Sequence, residues 1–196
     1  MALPNRVRII GGRLKGRVVR FPSVRDLRPT PNRVRETLFN WLGQDLSGEV
    51  VLDLFTGSGV LALEALSRGA ALAVAVDRES ALIRPLVETA ASFGVIGLET
   101  HIEDARSFLL RDSRRFDVIF LDPPFSSDEW AWLLPACTAR LADAGRIYAE
   151  AGRRLPPSGG LDVCRHGKAG NVHYHLLTHA QSSADETREV GFRPRT

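Results

Sequence analysis

The 196 residues, 44% of them hydrophobic and 25% charged, are enough for one globular domain with a small appendage. No apolar run approaches the roughly 18–20 residues that cross a bilayer, no signal-peptide core follows Met1, and two cysteines cannot form a disulfide framework, so a cytoplasmic protein is expected. The net charge is only +3, but residues 1–41 carry ten basic and two acidic side chains, or +8, which favours a nucleic-acid partner over a membrane.

The chain begins with a predicted basic extension over residues 1–48. Two short strands around Gly11, Gly12 and Gly16 predict a small hairpin in which arginines alternate with apolar residues, so that one face can pack while the other meets phosphates. A helix follows, with Thr30 expected as its N-cap and Pro31 in its first turn. Its buried face is predicted to carry Val34, Leu38, Trp41 and Leu42, and its exposed face Arg33, Glu36 and Asn40.

Strands and helices alternate from residue 50 onward. Nearly continuous apolar strands such as Val118–Leu121 imply burial on both faces, and therefore an α/β fold with a doubly wound, mostly parallel, seven-stranded sheet over 49–179. A polar tail over 180–196 follows, and Pro85 is expected to kink its helix or reset the helix start. Strands are predicted at 50–55, 73–77, 98–102, 117–122, 145–150, 161–166 and 172–178, and helices at 59–68, 79–92, 104–111 and 128–142.

Acidic residues recur where these strands end. Asp53, Asp77, Asp104 and Asp122 each follow a predicted strand, and the carboxyl ends of parallel strands form the ligand-binding edge of such a sheet. Any one of them could instead cap a helix, but four together indicate a site for hydroxyl and amino donors. Gly57-x-Gly59-x-x-Ala62 with Asp77 also fits the dinucleotide fingerprint, which keeps an NAD(P)-dependent oxidoreductase open.

The tetrapeptide Asp122-Pro-Pro-Phe125 is the most informative motif. Its two prolines remove amide donors and stiffen the turn, while the carbonyls and the Asp122 carboxylate remain as acceptors. Such a corner fits the exocyclic amino group of a nucleobase whose ring stacks on Phe125. The alternative interpretation is a rigid turn that only ends the strand.

These motifs resemble those of a known enzyme family. Asp53-x-Phe55-x-Gly57-x-Gly59 resembles the first signature of class I S-adenosylmethionine-dependent methyltransferases, and Asp122–Phe125 resembles their (Asn/Asp)-Pro-Pro-(Tyr/Phe) signature for methylation of exocyclic base nitrogens. More narrowly, the chain over roughly 6–178 resembles the RsmD-type guanine-N2 methyltransferases of bacterial 16S ribosomal RNA. That likeness lies in Arg8-Ile-Ile-Gly-Gly-Arg13, Leu27-Arg-Pro-Thr30, Arg33-Val-Arg-Glu-Thr-Leu-Phe-Asn-Trp41 and Leu63-Glu-Ala-Leu-Ser-Arg68.

The resemblance implies a role for each matching position. The loop Phe55–Gly59 would pass under the methionine end of S-adenosyl-L-methionine, Asp77 would bind the ribose, and Asp104 would bind the adenine amino group. The implied cofactor residues are Asp53, Phe55, Thr56, Gly57, Ser58, Gly59, Asp77, Arg78, Asp104, Ala105, Thr30 and Arg33. The implied catalytic residues are Asp122, Pro123, Pro124 and Phe125, and the expected RNA-binding residues are Arg8, Arg13, Lys15, Arg17, Arg28 and Arg35.

The expected substrate is ribosomal RNA within a 30S subunit or an assembly intermediate, and the protein is expected to be a monomer. No metal is expected, because no paired C-x-x-C accompanies His173 and His175. An adenine-N6 methyltransferase acting on DNA or RNA shares the Asp-Pro-Pro-Phe motif and differs only in the N-terminal block. An oxidoreductase leaves that motif and the basic arm unexplained. A noncatalytic RNA-binding module explains the arm but not the acids at the strand ends.

Overall fold

The computed structural model describes residues 5–24, 30–124 and 129–180, and no helix among them is long and apolar enough to span a membrane. Its N-terminal part contains β1 (Asn5–Arg8), a 3-10 turn (Gly12–Leu14), β2 (Val18–Phe21) and α1 (Asn32–Leu42). The remaining elements are β3 (Val50–Asp53), α2 (Val60–Ser67), β4 (Leu72–Asp77), α3 (Ser80–Ser92), β5 (Leu98–Ile102), α4 (Ala105–Arg111), β6 (Phe116–Leu121), α5 (Trp130–Thr138), β7 (Leu141–Ala151), β8 (Leu161–Ala169) and β9 (Val172–His179).

The central sheet has seven strands in the order β5-β4-β3-β6-β7-β9-β8. β5, β4, β3, β6 and β7 run parallel, whereas β9 pairs antiparallel with both β7 and β8. This confirms the doubly wound, mostly parallel sheet that the sequence predicts. β1 and β2 pair with each other in a separate two-stranded sheet.

Two hydrophobic cores cover the two faces of this sheet, because successive side chains of a buried strand point to opposite faces. On β6, Phe120 packs into the core that also holds the β1–β2 hairpin, α1, α2 and α3, while Leu121 packs into the core with α4 and α5. Trp41 of α1 lies against Tyr174 of β9, with 5.4 Å between the ring centroids. The N-terminal part thus shares a core with the sheet, and the predicted domain boundary at residue 48 stays a prediction.

The structure differs from the predicted elements at the boundary between α5 and β7. α5 ends at Thr138 and β7 already begins at Leu141, because Leu141 pairs with Phe116 and a register shift then brings Arg146 opposite Val118. The predicted helix to 142 and strand from 145 were therefore wrong at their common boundary. α3 begins at Ser80 and runs through Pro85, so that proline does not reset the helix start.

Candidate active site

The five parallel strands end at one edge of the sheet, and acidic residues line that edge. Asp53 and Asp77 are the last residues of β3 and β4, and Asp104 and Asp122 come within two residues of the ends of β5 and β6. The strand order reverses between β3 and β6, which is the switch point where ligands bind in such sheets. The structure thus brings the four predicted carboxylates to the same edge.

A tight glycine loop leads from β3 into α2 at this switch point. Gly57 and Gly59 adopt left-handed backbone conformations, with φ of 51° and 73°. A Cβ on Gly59 would also lie 2.3 Å from Cδ1 of Leu86, so neither the backbone nor the packing accommodates a larger residue there. Thr56, Gly57, Ser58 and Gly59 are buried, and Phe55 is half-buried.

The Asp53 side chain hydrogen-bonds to the glycine loop and to the first turn of α2. Its Oδ2 accepts a hydrogen bond from Oγ1 of Thr56 at 2.8 Å and from the backbone N–H of Ala62 at 3.2 Å. Burial raises the pKa of Asp53 to about 7, these two hydrogen bonds oppose the shift, and the charge of Asp77 adds to it. These contacts fix the orientation of the glycine loop relative to β3 and α2.

Asp77 and Asp104 each combine a local structural role with remaining acceptor capacity. Asp77 accepts from the backbone N–H of Gly57 through Oδ2 and of Glu79 through Oδ1, both at 2.9 Å. Asp104 is the N-cap of α4, since its Oδ1 accepts from the N–H groups of Arg106 at 2.9 Å and Ser107 at 3.3 Å. An ionised carboxylate offers about four lone-pair positions, so both residues can still accept bonds from a ligand.

The flanking positions differ in exposure. Ala105 is buried as the first residue of α4. Arg78 follows Asp77 on the surface and forms an exposed ion pair with Glu79 at 3.6 Å. Arg33 is exposed in the first turn of α1. All three were predicted to bind the cofactor, and their contacts in the structure do not assign them a role, so these predictions stay predictions.

The Asp122-Pro123-Pro124 corner continues directly from β6. Pro123 is buried and Pro124 is exposed, while Phe125 lies outside the described residues. Asp122 is half-buried as a residue, but its carboxyl group is densely surrounded by protein. This burial, followed by the charges of Glu150 and Asp53, holds the pKa of Asp122 well above its usual range.

Glu150 is a residue of this edge that the sequence interpretation missed. The pairing of Leu121 with Ala149 places Glu150 on the strand next to Asp122. Its side chain is buried, and its Oε1 accepts a hydrogen bond from the hydroxyl of Tyr148 at 2.8 Å. Burial raises the pKa of Glu150, and the bonds from Tyr148 and Thr30 oppose the shift. A lone carboxylate inside the otherwise apolar strand Ile147–Ala151 was the available signal.

Thr30 does not cap α1, so that prediction was wrong. Pro31 occupies the cap position and makes no side-chain cap bond, and the buried Thr30 side chain instead hydrogen-bonds to Glu150. Thr30 precedes the cap residue, so its side chain is not in the position from which a side chain caps the first-turn N–H groups. Thr30 is thereby held next to the acidic edge of the sheet.

Arg35 is not available to RNA, and its assignment to the RNA-binding set was wrong. Its side chain is fully buried and its Nη1 lies 2.5 Å from Oε1 of Glu64, which is equally buried. The remaining donors reach the carbonyl oxygens of Thr30 at 3.2 Å and Arg8 at 2.8 Å, and Oδ1 of Asn32 at 2.6 Å. The side chain lies on the same face of α1 as Val34 and Leu38, which was the signal for its burial.

The other basic residues predicted to bind RNA remain on the surface where the structure describes them. Arg8, Arg13, Lys15 and Arg17 are exposed on the β1–β2 hairpin, and Arg28 lies outside the described residues.

Three histidines lie close together on β8 and β9. The ring of His166 stacks on that of His173, with 3.0 Å between Nε2 of His166 and Nδ1 of His173, and lies at an angle to the ring of His175. Within the described ranges, no three acidic, histidine or cysteine side chains form a group that could hold a metal ion.

Comparison with known proteins identifies close relatives of this chain. Residues 7–178 match the model of the family described as "Conserved hypothetical protein 95". The chain is 37% identical over 187 residues to "Ribosomal RNA small subunit methyltransferase D" of Escherichia coli K12, covering 91% of this chain and 93% of that protein. It is also 37% identical to the protein of the same name from Haemophilus influenzae, over 61% of this chain and 64% of that one.

A solved structure shows the same architecture. "Putative methyltransferase yhhF from Escherichia coli" superposes with a TM-score of 0.80 at 35% sequence identity, covering 89% of this chain and 98% of that one. The likeness therefore includes both the N-terminal part and the seven-stranded sheet.

Proposed function

The chain belongs to the RsmD family of small-subunit ribosomal RNA methyltransferases, and we propose that it methylates the exocyclic N2 amino group of a guanine in 16S ribosomal RNA. The methyl donor is S-adenosyl-L-methionine, whose sulfonium carries the methyl group already activated for displacement. The observation that carries the proposal is the position of the Asp122-Pro-Pro corner beside the glycine loop, at the switch point of the sheet. This position supports the proposal, because hydrogen-bond acceptors for a substrate amine would lie next to the bound cofactor.

The residues present fit the cofactor. The left-handed Gly57 and Gly59 carry no side chain that would keep a ligand from the backbone of the loop, and Asp77 retains acceptor capacity for two ribose hydroxyls. We assign Asp104 to the adenine amino group and Asp53 to support of the loop. Phe55, Thr56, Ser58, Arg78, Ala105, Thr30 and Arg33 are proposed to complete the pocket.

The chain's task in catalysis is to position a weak nucleophile. The N2 lone pair of guanine is delocalised into the ring, and hydrogen bonds from N2 to Asp122 and to the Pro123 carbonyl would turn that lone pair toward the methyl group. Positioning of this kind supplies up to roughly 7–11 kcal/mol in favourable cases. Pro123 and Pro124 contribute by lacking N–H donors that would compete for the acceptors. Phe125 is proposed to stack on the base.

Asp122 is proposed to accept a proton only after transfer. A neutral aryl amine is far too weak an acid for a carboxylate to deprotonate first, whereas the methylated N2 is acidic until it loses a proton. The N–H bond then breaks, its electron pair returns to nitrogen, and the proton goes to the Asp122 carboxylate. The raised pKa of Asp122 suits this step, because it makes the carboxylate a stronger base than an exposed one.

The variant Asp122→Ala tests this assignment, with Asp143→Ala on the exposed start of β7 as the matched control. We expect Asp122→Ala to keep its affinity for S-adenosylhomocysteine in calorimetry and to lose most turnover on unmethylated small subunits, while the control keeps both. Equal loss of affinity and turnover would reassign Asp122 to the cofactor. Nucleoside analysis of the product must show N2-methylguanosine, and N6-methyladenosine would refute the proposed base.

We further propose that the enzyme acts as a cytoplasmic monomer on a 30S subunit or an assembly intermediate. The relatives' name specifies the small subunit, and RNA sites of this kind are recognised by shape and bound proteins as well as by sequence. Light scattering during size-exclusion chromatography tests the monomer. A comparison of naked 16S RNA with unmethylated 30S subunits as substrates tests the particle.

A further inference from the structure

A group of basic side chains lies near β7, β9 and β8, at the same edge of the sheet where the parallel strands end and the four carboxylates lie. We call this edge the catalytic edge. β7 runs parallel to β6, so Arg153 and Arg154 follow its end at that edge. Antiparallel pairing places His173 opposite Ala151, and Lys168 opposite His173. We call Arg153, Arg154, His166, Lys168 and His173 the basic rim.

Within the basic rim, His166 lies close enough to Arg154, Lys168 and His173 to interact with them. The rings of His166 and His173 stack with 5.2 Å between centroids and an interplanar angle of 18°. Burial lowers the pKa of His166, and the charges of Arg154, His173 and Lys168 lower it further. Arg153, Arg154 and Lys168 are exposed, and His166 and His173 are partly exposed. The rim therefore presents grouped donors and positive charge to solvent.

The charge of the rim contrasts with the body of the protein. Residues 42–151 carry nine basic and seventeen acidic side chains, a sum of −8, whereas residues 152–180 carry four basic and one acidic, a sum of +3. The one acid, Asp162, pairs with Thr178 near the opposite edge of the sheet. A positive surface beside an acidic crevice fits an anionic partner that must approach that crevice.

The hairpin that carries the other exposed arginines reaches the opposite edge. The N–H of Leu14 donates to Oγ of Ser67, the last residue of α2, at 2.8 Å, and the guanidinium of Arg17 lies 5.0 Å from the ring of Phe93, just past the end of α3. α2 and α3 both start at the catalytic edge, and the 13 residues of α3 span ~20 Å. The hairpin tip is thus remote from Asp122, whereas Arg153 is three residues, at most about 10 Å of chain, from Glu150.

We propose that the basic rim binds the RNA phosphates that flank the target nucleotide, and that the hairpin tip contacts a more distant part of the RNA. This inference rests on the proposed function, because it assigns the substrate of the same crevice. Phosphate contacts fix the register of an RNA without reading its bases. The rim would hold the backbone on either side of the nucleotide that must leave its stack to reach the corner at Asp122.

The double variant Arg154→Gln/Lys168→Gln tests the proposal, because both side chains are exposed and neither belongs to the cofactor site. The matched control is Arg84→Gln/Arg115→Gln, which removes the same charge from exposed positions outside the rim. Initial rates on unmethylated small subunits give kcat and KM, and binding measured against salt concentration counts phosphate contacts. Calorimetry with S-adenosylhomocysteine reports on the cofactor site.

We expect the rim variant to raise KM several-fold with an unchanged kcat at saturation, and to make the slope of log K against log salt shallower by about 2, one per lost contact. The rim variant keeps the cofactor affinity and the melting temperature of the wild type. The control keeps the wild-type KM, salt slope and cofactor affinity, but loss of the bond from Arg115 to the carbonyl oxygen of Leu141 lowers its melting temperature. A rim variant with wild-type KM and salt slope, or a control with an equal loss, overturns the proposal. Failure of the wild type to methylate any small-subunit RNA would refute the proposed function instead.

Discussion

The buried pair of Arg35 and Glu64 leads to a quantitative prediction for stability. Both side chains are fully buried, and Glu64 also accepts the N–H of Ile10 at 2.7 Å and faces Arg68 at 3.6 Å. Glu64→Leu would leave two buried guanidinium groups without their counter-charge. Breaking a buried pair in this way costs about 3–5 kcal/mol of the free energy of unfolding. For a chain of this length that lowers the melting temperature by roughly 6–20 °C.

Urea titration and calorimetry measure this effect, with two controls. Glu103→Leu removes an ion pair of similar length, 2.7 Å to Arg111, from the surface, and should cost less than about 1 kcal/mol. The double variant Arg35→Met/Glu64→Leu removes one of the two guanidinium groups together with Glu64 and should recover part of the loss, since Arg68 still lacks its counter-charge. If Glu64→Leu were no worse than Glu103→Leu, the idea that Glu64 neutralises buried charge would be refuted.

Three further changes have defined outcomes. Burial raises the pKa of Asp53 from 3.8 to about 7, so the folded chain keeps a proton that the unfolded chain releases. The free energy of unfolding in urea should therefore fall by as much as ~4 kcal/mol as pH rises from about 4 to about 7, and Asp53→Asn should lose this part of the decline. Gly59→Ala should cost about 1–2 kcal/mol through its left-handed backbone alone, and weaken S-adenosylmethionine binding in calorimetry. Because the added Cβ meets Leu86, a double-mutant cycle with Leu86→Ala should show a favourable coupling between the two changes, although the loss of this buried leucine itself costs about 2–5 kcal/mol. Burial is the main cause of the raised pKa of Asp122, and the negative charge of Glu150 adds to it. Glu150→Gln removes that charge, so the acidic limb of the kcat–pH profile should move part of the way to lower pH with unchanged cofactor affinity. A limb that does not move would show that the two carboxyl groups do not influence each other's titration.

The sequence predicted what depends on local patterns. Apolar strands, helices of period 3.6 and aspartates at strand ends placed the parallel sheet and brought four carboxylates to one edge, because that topology leaves few alternatives. The boundary between α5 and β7 was missed, since Leu141-Ala-Asp-Ala favours a helix by composition and the pairing of Leu141 with Phe116 overrides it. Local propensity could not reveal that partner on another strand.

Arg35 and Glu150 were missed for a related reason. Whether a charged side chain is buried or exposed depends on whether an oppositely charged partner is buried with it. For Arg35 that partner is Glu64, which lies 29 residues away in the chain. An arginine in a basic segment suggests RNA binding by composition, but its position on the buried face of α1 was the stronger signal. Glu150 was hidden in the same way, because its donors Tyr148 and Thr30 come from β7 itself and from the segment before α1.

These two residues connect the N-terminal part of the chain to the proposed catalytic corner. Arg35 is fixed by Glu64 and donates to the carbonyl of Thr30, the side chain of Thr30 bonds to Glu150, and Glu150 lies on the strand beside Asp122. Each link is a hydrogen bond or a strand neighbour, and each of the side chains is at least half-buried. Thr30 therefore does more than precede a basic helix, because its side chain reaches the acidic edge of the sheet. A chain cut before α1 would retain all seven strands of the central sheet and still lose Thr30, the partner of Glu150 beside the proposed catalytic corner.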